Sequence, residues 1–275
     1  MLPSSASLRS LMVAALFLLP TVAAAQSIAA HAPGASAPVV SDGARSAPSA
    51  EIWDTLTALR AQGKFQAALD RLDVLARRSP GHVGVLWRQA LLYIDRGQFA
   101  PDSDAAIPFY RQAIAHADAA LAADSTSAWA HLMKAMAEGR MSLHEGNRQR
   151  VRRSRAVKQH AERALALDST LATAYHVRGR WYRNVADLNF IERAIVKTIY
   201  GGLPAATFEA SARDLERATA LESRSYHHLE LAKTYLAMDR DAAAKRHLQA
   251  ALTAAPSPLD PKYKPEAREM LREME

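Results

Sequence analysis

The chain has 275 residues, 49% of them apolar and 23% charged, with no cysteine and a net charge of +7. That apolar content supports a sizeable core and excludes a disordered tail or a collagen-like fibre. The lack of Cys removes disulfide scaffolds, thiolate-ligated metals, thiol catalysis and Cys lipidation, while the modest positive charge selects no partner by itself.

Residues 1–25 read as a secretory signal peptide. Arg9 is the only charge, residues 11–19 (LMVAALFLL) are an unbroken apolar run, Pro20 interrupts it, and Ala23, Ala24 and Ala25 place small residues at the exit. An uncleaved anchor is the alternative, but such a run is well short of the roughly 20 residues needed to span a bilayer. Cleavage is expected near Ala25, which implies an exported, periplasmic protein. Residues 26–50 are rich in Ala, Ser and Pro with few large side chains. Such a stretch cannot offset its ordering entropy, and it is expected to be a disordered linker.

From residue 51 to 275 the pattern is helical throughout. Phe208, Ala212, Leu215 and Ala218 keep the 3.6-residue phase, and four helices end alike, as ALAADS, ALALDS, ATALES and ALTAAP. The last unit places Leu231, Ala232, Tyr235, Ala244, Leu248, Ala251 and Pro256 at the packing positions of a tetratricopeptide (TPR) helix–turn–helix. The small residues let helices approach, the large ones fill the holes, and Pro256 stops the second helix. Unit one repeats this with Gly63, Phe65, Ala68, Leu72, Leu75 and Pro80. Units two, three and four keep both helices, with about 11, 12 and 20 residues beyond the 34-residue template, which are expected to lengthen the turns. A closing helix is expected from about Pro265, with Ala267, Met270 and Leu271 on one side and charges on the other. The fold expected is all-α: a TPR-like α-solenoid of about five helical pairs with a C-terminal capping helix.

The least generic stretch is residues 179–223. Gly179-Arg180-Trp181, Phe190-Ile191-Glu192-Arg193, Tyr200-Gly201-Gly202, Pro204 and Thr207-Phe208 resemble the regulator of microtubule dynamics family, TPR-like proteins of animals with bacterial relatives. Residues 157–169 and the last repeat are similar to it as well, and the resemblance covers roughly residues 55–274. It implies a helical interaction protein with no catalytic residues. Animal members are associated with microtubules and some with membrane contact sites, so a microtubule-associated role is one alternative. This chain differs from them in its export-type N-terminus.

The residues themselves point away from chemistry. His144-Glu145 lacks the second His of a metalloprotease helix, His227 and His228 are neighbours facing different ways, and no GxSxG, P-loop or GxGxxG occurs. No catalytic, metal or cofactor-binding residue is assigned, and neither a small-molecule substrate nor nucleic acid is expected. Two surfaces remain. In TPR geometry Lys134, His176, Arg180, Arg183 and Lys233 face a concave groove suited to the carboxylates of a protein or peptide, unless Arg180 pairs instead with Glu192. Arg148, Arg152 and Arg155, with Lys158 near them, line one helix face, which is either plain solvated surface or a contact for an anionic membrane or polyanion. Trp181 is expected in the core, and the apolar insert 190–207 as an extra helix folded over the groove. The function expected is an exported, non-catalytic scaffold that binds a protein or peptide through its groove. The alternatives are a membrane-surface or polyanion-binding scaffold using residues 148–158, and the microtubule-associated role.

Overall fold

The structure, a computed structural model, describes residues 48–274. The expected signal peptide, and the expected linker up to residue 47, lie outside these. The described residues form twelve helices: α1 (Ala50–Ala61), α2 (Phe65–Arg78), α3 (Val83–Gln98), α4 (Ser103–Ala123), α5 (Ala128–Ser142), α6 (Asn147–Leu167), α7 (Ala172–Ala186), α8 (Phe190–Tyr200), α9 (Phe208–Leu221), α10 (Ser225–Leu236), α11 (Asp241–Thr253) and α12 (Asp260–Glu273). They pack as antiparallel pairs α1/α2, α3/α4, α5/α6, α7/α9 and α10/α11, each stacked on the next, with α12 against α10 and α11. This is the all-α solenoid of five pairs and a cap.

The shared helix endings have a shared geometry. Asp124 and Asp168 follow α4 and α6 in extended backbone, and the Oδ1 of each accepts from the backbone N (2.8 Å) and Oγ1 (2.6 Å) of the Thr two residues on. The carboxylate thereby closes the inter-repeat turn, a local pattern that competes with helix and so stops it. Ser127 then accepts from Ala130 N at 3.3 Å to start α5. The alanines of the repeat, Ala232, Ala244 and Ala251, are fully buried at the seam, with Leu248 and Tyr235 filling the space between helices. Gly179 marks the tightest approach. A Cβ there would stand 2.7 Å from Leu215 Cγ and 3.2 Å from the Ser211 carbonyl, so α7 and α9 meet as closely as they do only because the side chain is absent.

Three expectations are corrected. The extra residues of units two and three lengthen helices rather than turns: α4 and α6 each run 21 residues, and the turns are residues 99–102 and 143–146. The Asp102 carboxylate accepts from Ala105 N at 2.9 Å and starts α4 two turns early. The closing helix begins at Asp260, with Pro261 as its first-turn proline, and Pro265 lies inside it. The insert does form a helix, α8, but it rests against α6 rather than across the groove. Arg155 of α6 donates to the Tyr200 and Gly202 carbonyls, and Leu203 and Ala206 pack on Val157, Trp181 and Val185. Gly201, at φ 75°, supplies the left-handed residue that ends α8.

What crosses the interior is α12. Tyr263 Oη accepts a hydrogen bond from Arg140 of α5 at 3.0 Å, and Lys262 Nζ donates to the Gln98 carbonyl of α3 at 3.3 Å. The first helices of successive pairs therefore share an inner face that the cap spans.

Candidate functional site

Four of the five groove candidates converge on a residue that the sequence reading missed. On α7, His176, Arg180 and Arg183 follow at i, i+4 and i+7 and share one face, and Glu230 and Lys233 share a face of α10. Glu230 is buried, with 3% of its side chain exposed. Its carboxylate takes a direct ion pair from Arg183, a second from Arg180 at 3.4 Å and a third from Lys233 at 3.8 Å. Its backbone carbonyl accepts from Arg183 at 2.8 Å. Burial alone would raise the Glu230 pKa, but Arg180, Arg183 and Lys233 outweigh it and hold the carboxyl well below the usual range. A signal was available, since Glu230 stands three residues before Lys233 on the face already assigned to the groove.

His176 does not act as a cation here. It is buried, its ring 5.3 Å from Tyr226 and 4.9 Å from His227, and burial followed by repulsion from His227 and Arg180 pushes its pKa well below 6.5. Its Nδ1 and both ring nitrogens of His227 have no hydrogen-bond partner, and Arg180 Nε has only its 3.4 Å ion pair with Glu230. Beside this group, Arg140 Nη2 bonds to Gln98 Oε1 and Tyr263 Oη, both neutral, and Glu230 is near enough to favour its charge. One buried carboxylate thus faces three cations, with a fourth close by, and Lys233 alone of the three has a second carboxylate, Glu266 of α12 at 2.6 Å. Arg60 of α1 extends the polar interior through a two-point pair with Asp95, at 2.6 and 3.3 Å.

Lys134 stands apart. It is held by Asp118 of α4 at 2.7 Å and Glu138 at 3.0 Å, and Glu138 passes the chain of charges to Arg153 of α6. The pairing of Arg180 with Glu192 does not occur, because Glu192 closes a capping box with Asn189 at the start of α8. On the basic face of α6, Arg148 and Arg152 are exposed, Lys158 is paired with Glu162, and Arg155 is spent on the end of α8. Trp181 is in the core, 4% exposed, its Nε1 donating to the Ser154 carbonyl at 2.8 Å.

A cleft of about 390 Å³ lies between Trp129, the 168–173 turn and Glu222. Glu222 is held at about 2 by His227, whose Nε2 stands 3.9 Å from it, against burial, with help from Arg224. Among the described residues no group of three or more His, Asp or Glu stands where a metal could be held, and no helix is long and apolar enough to cross a membrane.

Comparison with known proteins gives the same picture. The family model described as regulator of microtubule dynamics protein 1-3 matches residues 51–275. Regulator of microtubule dynamics protein 3 of Xenopus laevis is 30% identical over 62% of this chain and 37% of its own length. Regulator of microtubule dynamics protein 1 of Bos taurus is 30% identical over 55% of this chain and 49% of its own. The chain thus matches half or less of the length of these relatives. Among solved structures, a thermophilic TPR protein of Thermus thermophilus superposes with a TM-score of 0.57 over 81% of this chain and 96% of that one, at 17% identity. That likeness concerns the fold alone.

Proposed function

The chain belongs to the regulator of microtubule dynamics family, and on that premise we propose that it is an exported, non-catalytic scaffold that binds an acidic protein or peptide segment at the centre of its inner face. The imbalance around Glu230 carries the reading: a single buried carboxylate answers Arg180 and Arg183, Lys233 is shared with Glu266 of α12 at 2.6 Å, and Arg140 beside them is bonded to neutral groups. An incoming carboxylate completes that set, with guanidinium groups able to make two-point contacts. The unpartnered His176 Nδ1 lies in the same cluster. Export rests on the N-terminal pattern of Arg9, the apolar run 11–19 and Ala23 to Ala25. A second reading follows from the family itself, whose animal members are named for regulating microtubule dynamics. It would need the chain to remain in a compartment that holds microtubules.

The test is a photo-crosslinking residue placed at Arg180, with the same residue at the exposed Arg217 of α9 as a control, in the protein's own cells. A polypeptide captured at 180 and not at 217, in a fraction outside the cytoplasm, supports the proposal. Capture at neither position, or equally at both, ends it.

A further inference from the structure

The three most exposed large apolar side chains among the described residues all lie on α8: Phe190 (85% exposed), Ile191 (69%) and Ile199 (61%). At about 100° per residue Phe190 and Ile191 flank one face of α8 with Ala194 and Thr198 between them, and Ile199, half a turn from Phe190, stands beyond its edge. An isolated helix of 11 residues is marginal in water, and this one is tethered by its ends rather than by its apolar face. The capping box holds one end, the Arg155 bonds to the Tyr200 and Gly202 carbonyls hold the other, and Arg193 bonds back to the Ala186 and Leu188 carbonyls. The structure therefore presents Phe190 and the two isoleucines to solvent on a fixed support.

What surrounds that face is basic. Arg155 touches α8, and Arg152 and Arg148 continue its row along α6 within about 10 Å of helix rise. Both are exposed and have no carboxylate partner among the described residues, and Lys197 of α8 is exposed likewise. We propose that α8 and the α6 arginine row form a docking surface for an anionic lipid bilayer, with α8 lying in the plane of the interface. Phe190 and Ile191 enter the acyl boundary, and Arg148, Arg152 and Lys197 meet the headgroup phosphates, as in other interfacial helices. Eleven residues cannot span a bilayer but suit this orientation. A second copy of the chain is the poorer occupant on two grounds. Three side chains supply a few hundred Å² against the roughly 800 Å² per partner of a stable interface, and a two-fold contact brings like charges together. This surface shares no residue with the Glu230 cluster, so either can fail without the other.

The lack of Cys allows a direct test on the full chain. An environment-sensitive fluorophore is attached at Ala194→Cys, on the exposed face of α8 between Phe190 and Ile191, or at Arg213→Cys on α9. Each protein is mixed with phosphatidylcholine vesicles with or without phosphatidylglycerol. A blue-shifted, brighter signal is expected at 194 and not at 213, only with phosphatidylglycerol, and reversed by high salt. In co-sedimentation, Phe190→Ser/Ile191→Ser should weaken binding at least about tenfold, and Arg148→Ala/Arg152→Ala roughly tenfold or more. All four variants change exposed residues, and unchanged circular dichroism confirms that the fold survives. The proposal is overturned by a silent probe at 194, which includes binding through the N-terminal apolar run alone. It is also overturned by equal response to neutral vesicles, or by a concentration-dependent probe change without vesicles that marks a dimer.

Discussion

Replacing Glu230 by Gln removes one charge and almost no volume, so the result reads the electrostatics of the inner face directly. At an effective dielectric constant of about 20, ion pairs at 3.4 and 3.8 Å are worth about 5 and 4 kcal/mol before desolvation. Desolvation takes back much of that. Removing one member of a buried set nonetheless costs about 3–5 kcal/mol, because the remaining charges stay buried without their partner. Gln keeps an oxygen for Arg183, which points to the lower end, about 3 kcal/mol. For a domain of this size that corresponds to a fall in Tm of roughly 6–12 °C. Calorimetry at neutral pH measures it, and pH provides the control. The folded pKa of Glu230 lies well below its unfolded value, so the unfolded chain binds the proton first. The carboxylate's stabilisation is complete above the unfolded value of about 4.3 and is lost as pH falls toward the folded one. The gap between wild type and variant should stay constant from neutral pH to about pH 5 and close below about pH 4. An acidic peptide should bind the variant more tightly, since one competing charge has gone. A loss under about 1 kcal/mol, or a gap independent of pH, would mean that water screens these charges and that the inner face has no electropositive centre.

Gly179→Ala forces α7 from α9 at the 2.7 Å approach to Leu215 and should destabilise by roughly 1–2 kcal/mol in thermal unfolding, despite the better helix propensity of Ala. An equal or higher Tm would show that α9 shifts freely. His228, whose Nδ1 lies 3.1 Å from that of His247 across α10 and α11, is pushed down to about 4 by burial, then by His247 and His227. Its folded pKa is below its unfolded one, so stability should be lost as pH falls from about 6.5 toward 4, by about 1–2 kcal/mol after solvent screening. Urea unfolding across that range should show a shallower pH slope for His228→Gln, and an unchanged slope would exclude this imidazole as the cause. Tyr263→Phe deletes the acceptor for Arg140 and should cost about 1.5–3 kcal/mol in denaturant unfolding, as for hydrogen bonds to charged groups. A neutral result would mean that α12 does not hold the interior together.

The stacking was legible because its punctuation is chemical. Gly63 and the Asp-Ser-Thr endings at 124–126 and 168–170 stop helices by mechanisms a sequence displays, and the buried alanines recur at fixed spacing. A template count of extra residues could not decide between longer turns and longer helices. Asp102 three residues before Ala105 was the local signal that settled it for α4. The inner-face cations were visible from helix phase, and Glu230 shares that phase with Lys233, but its place between Leu229 and Leu231 set it in a run that reads as core. Lys134 followed the same template, but neighbouring helices, rather than the phase of α5, decide which carboxylates it meets. The position of α8 was illegible for a similar reason. Its anchor is a side chain of α6 bonding to carbonyls some 45 residues away, and backbone acceptors leave no mark in a sequence.

Stacked repeats ordinarily couple only to their neighbours, so that stability is a sum of local contributions. Here α12 breaks that rule, because Lys262 and Tyr263 tie the cap to α3 and α5, more than 120 residues earlier in the chain. The same contacts fix Arg140, one of the cations around Glu230, through the Tyr263 hydroxyl. The cap is therefore at once the end of the stack and a wall of its inner face. Anything that enters to pair with Arg140 must share that guanidinium with Tyr263 or displace it. Displacement would loosen α12 from α3 and α5 together, so occupancy of the inner face and closure of the solenoid act on the same few hydrogen bonds, and a charge brought to one is felt by the other.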